Sequence, residues 1–149
     1  MPPSRGWSNL ELGQMGHSSF SIRSTSSERE LFFFDPPTED GFSVAYRSHD
    51  LQASCGIYQF KQYRGIAVLL SRLASFKQPW SGVEQWSSPE GEFSLSAKCS
   101  PSSIVTFIFV IARPPGISEE WRLVASLTSE RAQLRDLAKR ADLFFRISP

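Results

Sequence analysis

A chain of 149 residues that is 40% hydrophobic can bury one core without metal or disulfide support. Its formal net charge of +1, with 21% charged residues, supplies no overall field to concentrate nucleic acid or an anionic membrane, so such binding would need a local patch. Aromatic residues reach 13%, with 12 Phe and 4 Trp, which suit a sheet core and a recognition surface equally.

Residues Met1 to Gly16 mix Pro, Gly, Ser and isolated large side chains without a period, which predicts a flexible leader ahead of one domain over residues 17–149. The leader has no apolar run and so lacks the parts of a secretory signal. The apolar run Ser103 to Ala112 is about half the length of a membrane span. Cys55 and Cys99 lack the short spacing of metal or redox pairs and read as two reduced, half-buried thiols; a disulfide between them is the alternative. A soluble, cytoplasmic protein is the expectation.

Alternation predicts strands over Ser18 to Thr25 and Phe42 to Arg47, with the compact aromatic run Glu30 to Phe34 between them. Asp35 to Gly41, with two prolines, a glycine and acidic turn formers, reads as a loop. From Ile57 to Phe76 the period becomes helical, through Phe60, Tyr63, Ile66, Leu69, Leu70, Leu73 and Phe76. Gly65 inside that helix implies close packing or a bend. After a Trp80 to Gln85 loop, Phe93 to Cys99 alternates with one wet face, whereas Ile104 to Ala112 is apolar on both faces and predicts a central strand covered on each side. A further strand is expected over Trp121 to Leu127. Thr128 or Ser129 is then expected to cap a helix with the stripe Leu134, Leu137, Ala138, Ala141, Phe144 and Phe145, and with Asp136–Arg140 and Asp142–Arg146 neighbours on its wet side. The sum is an α+β fold: an antiparallel sheet of about six strands with two main helices packed on one face.

Reaction chemistry is sparse. His17 and His49 are the two histidines, and His49-Asp50 near Cys55 is the one local cluster resembling a nucleophile with its base; adjacent strand residues face opposite ways, so an exposed loop His is the expectation. The His and Cys spacings fit no zinc site, and no Gly-rich phosphate cradle occurs, so neither a catalytic set, a metal nor a cofactor is expected. Glu90 and Glu92 around Gly91, with Glu84 upstream, read as a solvated turn. Trp80, Trp86 and Trp121 border apolar strands and read as core rim, with an exposed recognition patch as the alternative. Arg131, Arg135, Lys139 and Arg146 form a basic row on the last helix that could meet phosphates, although Asp136 and Asp142 interrupt it and a solvated helix face explains it.

Trp86-Ser87-Ser88-Pro89-Glu90-Gly91-Glu92-Phe93-Ser94-Leu95, the apolar strand after it, Trp121 and Gln133-Leu134 in the closing helix resemble small bacterial domains of unknown function, similar to the immunity proteins that accompany wall-associated and other polymorphic toxins. The resemblance spans Leu51 to Phe145. Where that pattern has Gly-His-Val leading the central strand, this chain has Ser103-Ile104-Val105, so no role of that His carries over. The resemblance implies a non-enzymatic bacterial protein that binds another protein such as a toxin or effector domain; an exposed edge strand in the N-terminal meander leaves both monomer and homodimer open. Near-neutral charge speaks against simple electrostatic neutralisation of a basic nuclease, leaving a local patch of Trp80, Glu84, Trp86, Glu90 and Glu92 as the expected surface. A second reading is a small-molecule site or enzyme pocket between sheet and first helix, lined by Phe60, Tyr63 and the Phe107 or Phe109 face.

Overall fold

A computed structural model describes residues 19–38, 40–58, 64–113 and 119–146. The expected leader, His17, Phe60 and Tyr63 lie outside the described residues. The elements run β1 (Phe20–Arg23), β2 (Glu30–Thr38), β3 (Gly41–Arg47), β4 (Gln52–Ile57), α1 (Gly65–Ser75), β5 (Glu84–Ser87), β6 (Phe93–Cys99), β7 (Ile104–Ala112), β8 (Arg122–Glu130), a 3-10 turn (Arg131–Gln133) and α2 (Leu134–Phe144). β1 to β4 form one antiparallel meander and β5 to β8 another, each in sequence order and each followed by a helix. Four strands and a helix therefore occur twice in succession, without a sequence repeat.

The α+β class agrees with expectation, but eight strands in two sheets replace the expected single sheet of about six. The two extra strands, β4 and β5, are edges. Gln-Ala-Ser-Cys-Gly-Ile and Glu-Gln-Trp-Ser carry little apolar signal because an edge strand buries little. β2 also runs through Pro36 and Pro37, where a loop was expected. Its register with β3 shifts between Phe34 and Thr38, and Asp35 adopts a φ of 53°. The irregular register accommodates prolines that have no amide to give to a ladder.

Cross-strand register sets which faces are inside. Phe20 pairs with Phe33, Phe33 with Val44 and Phe42 with Ile57, so these side chains share one face of the first sheet. Trp86, Leu95, Phe109 and Ala125 line up likewise across the second. These faces and the buried stripes of both helices form one continuous core. Its centre is aromatic: Phe33 stacks on Phe20 at 4.5 Å, and Phe144 and Phe145 of the α2 end meet Phe20 and Phe42 edge-on.

α1 begins at Gly65, not Ile57, which ends β4. Gly65 thus occupies the first helical turn, and a Cβ there would overlap the Trp86 indole. Close packing, not a bend, explains the glycine. Gly65→Ala is expected to cost about 1–3 kcal/mol of stability, since the buried Trp86 must shift; unchanged urea midpoints would contradict that packing.

β8 continues to Glu130, so Thr128 and Ser129 belong to the strand and do not cap α2. Ladder pairing of Ser129 with Val105 and Glu130 with Ile104 overrides their capping preference. The Asp136–Arg140 and Asp142–Arg146 pairs form at 3.0 and 2.8 Å.

The second correction concerns β7. Val105, Phe107, Phe109 and Ile111 are fully buried, but the opposite set is not covered by another layer: Ile104 is 40% exposed and Ile108 and Val110 are only partly buried. The outer face of the sheet thus carries apolar side chains, Ile108, Val110 and Val124, among its polar ones where it meets solvent.

Candidate interaction groove

The outer face of the second sheet carries Val110 opposite Val124 and Ile108 opposite Ser126. Val124 is 57% exposed. This face curls over the β8 edge into a groove of about 740 Å³, walled by β8 on one side and by the β1–β2 and β3–β4 turns on the other. Leu51, 47% exposed, faces Val124 and Ile108 across it, while Glu28, His49 and Asp50 add polar groups.

Two hydrogen bonds fix the groove at one end. The Thr25 amide donates to the Thr128 carbonyl at 2.9 Å, and the Arg29 guanidinium donates to the Ser126 carbonyl at 2.7 Å. The other turn is held by the Ser48 hydroxyl, which donates to the Asp50 carboxylate at 3.2 Å, and by the Ser48 amide on the Leu51 carbonyl at 2.9 Å. His49 is exposed in this turn, as expected of a loop histidine. Cys55 lies on β4, where its thiol donates to the Ala112 carbonyl at 3.6 Å. Burial, and secondarily the charge of Glu92, push the Cys55 pKa up, which disfavours the thiolate nucleophile. Both cysteines are free and half-buried.

The patch expected around Trp80 and Trp86 does not assemble at the surface. Both tryptophans are buried in the core, Trp80 against Phe76 at 5.3 Å and Trp86 near Phe93 at 6.3 Å. Glu84 pairs with Arg72 at 2.8 Å, and of the expected patch residues only Glu90 is exposed. Glu92, read as part of a solvated turn, is 3% exposed: it accepts the Ser88 hydroxyl at 2.5 Å and the Tyr58 amide at 2.9 Å. Hydrogen bonding to a rigid turn and to the end of β4 draws this carboxylate inside.

Of the basic row, Arg135, Lys139 and Arg146 line a shallow groove of about 530 Å³ between α1 and α2. Arg131 does not join them; its guanidinium donates to the Phe76 carbonyl at 3.0 Å and braces the Ser103 turn. Asp142 in the same groove bonds Arg146 and Arg64, and these hydrogen bonds hold its carboxyl below the usual range. A pKa lowered by folding contributes stability above the ordinary carboxylate range, and that contribution is lost as pH falls through the folded value. Because Asp142 is 40% exposed, solvent screening keeps it small, so Asp142→Asn is expected to cost under about 1 kcal/mol at neutral pH and nothing in strong acid, read from urea midpoints.

Sequence reasoning missed Val124 and Leu51 as surface residues. The available signal was the second apolar set of β7, which is longer than a one-sided sheet requires. Among the described residues no group of three or more His, Cys, Asp or Glu could hold a metal, and no helix is long and apolar enough to cross a membrane. No curated protein and no solved structure matches the chain. The model of a family of unknown function, DUF6228, matches residues 21–148, and the chain belongs to that family.

Proposed function

We propose that this is a non-enzymatic bacterial protein-binding domain that acts in the cytoplasm as an immunity-type inhibitor, covering a toxin or effector domain with the face around the β8 groove. One observation carries the reading: Val124 and Leu51, 57% and 47% exposed, stand at the surface beside the groove and not in the aromatic core. An apolar strip beside a polar rim is the composition of a recognition surface. The small-molecule alternative has less support, because Phe107 and Phe109 are fully buried core residues, with Tyr46 5.3 Å from Phe109.

Affinity capture from the native cell lysate, followed by light scattering on the recovered complex, tests the reading. A stoichiometric protein partner is expected with the unaltered chain, lost on Val124→Asp or Leu51→Asp and kept on the double exchange Arg135→Glu, Lys139→Glu. Nucleic acid in the recovered material, or a partner lost only with the double exchange, would move function to the helix groove.

A further inference from the structure

The groove wall offers main-chain chemistry as well as apolar side chains. In an antiparallel ladder, successive residues turn their amide and carbonyl groups alternately toward and away from the neighbouring strand. The Thr128 and Ser126 carbonyls point away from β7, since the β1–β2 turn binds them from outside. By the same two-residue period, Val124 and Arg122 aim their amide and carbonyl groups outward too, and none of the described residues bonds them. Among the described residues β8 is thus an edge covered from the Ser126 carbonyl onward and open from Arg122 to the Ser126 amide.

An open edge of a sheet is a template for another strand, and here a groove runs beside it. Its far wall is acidic at two places, with Glu28 on one turn and Asp50 on the other, whereas Arg29 is engaged on the Ser126 carbonyl. Two exposed carboxylates beside a free strand edge suit an extended segment that carries positive charge.

We propose that the groove takes an extended peptide segment of the protein partner, added as a fifth strand to the Arg122–Ser126 half of β8 and carrying a basic side chain toward Glu28 and Asp50. The proposal rests on the protein-binding reading above and specifies its mode. Main-chain hydrogen bonds supply the attachment, while Val124 and Leu51 select for β-branched or aliphatic side chains at alternate positions.

The test uses the full chain and the synthetic peptide acetyl-Lys-Val-Thr-Val-Lys-Val-Thr-amide, with two controls: the same peptide N-methylated at every amide, and one with Glu for both Lys. Backbone amide spectra are followed during titration, and hydrogen exchange is measured at the end point. The parent peptide is expected to shift and protect the Val124 amide, with binding weakened about tenfold or more by N-methylation and several-fold by Glu. Binding unaffected by N-methylation, or no change at Val124, would overturn strand addition. So would a Val124 amide already protected in a homodimer. If the captured partner still depends on Val124 while the peptide fails, protein binding stands and only the strand mode falls.

Discussion

Replacing Phe33 by Ala is expected to lower the free energy of unfolding by about 3–5 kcal/mol. Phe33 is fully buried and stands where three parts of the molecule meet. It stacks on Phe20 of the same sheet, meets Phe93 of the second sheet edge-on at 6.0 Å and approaches Phe145 after α2 at 6.4 Å. Each neighbour is anchored in a different element, so the cavity cannot close by moving one of them, and loss of transfer free energy adds to loss of contacts. Against the total stability of about 5–15 kcal/mol usual for a domain, that loss leaves a sizeable unfolded fraction. Urea unfolding at constant slope reads the effect; a loss below about 1 kcal/mol would mean that the two sheets and α2 do not share this centre.

The second large effect is expected at Glu92. Glu92→Ala removes the acceptor of both the Ser88 hydroxyl and the Tyr58 amide, the first buried and the second part-buried. Losing this shared acceptor costs about 3–6 kcal/mol in all, given about 1.5–3 kcal/mol for each hydrogen bond to a charged group. The loss is also topological, because Tyr58 follows β4 and Ser88 follows β5, so Glu92 ties the first sheet to the second. Glu92→Gln keeps one carbonyl acceptor and is expected to retain part of the stability. Thermal unfolding of the two variants separates the outcomes: an alanine variant as stable as the unaltered chain would show that the carboxylate is dispensable.

How much of this was legible in the sequence follows from burial. Phe93 to Cys99 and the α2 stripe were readable because each buries one face and leaves the other wetter, and Phe42 to Arg47 because its larger apolar residues alternate, so hydrophobicity records the geometry directly. β4 and β5 were not, because edge strands are held by main-chain bonds that leave little trace in side chains. The prolines of β2 point to a loop, and only the shifted register explains their inclusion. Glu92 shows the opposite failing. A carboxylate in a Pro-Gly turn looks like surface, yet Ser88 with Tyr58 satisfies it, whereas Trp86, read as core rim, is buried where Gly65 gives it room. The groove was invisible as a site because Val124 lies far in the chain from His49 and Leu51, and the approach of the β3–β4 turn to the β8 edge joins them.

The most direct examination of the interaction surface is hydrogen exchange on the captured complex compared with the free chain. Protection confined to Arg122–Ser126 and the Ser48–Leu51 turn is the expected footprint. Protection centred instead on Arg135 and Lys139 between the helices, with β8 exchanging as in the free chain, would contradict it.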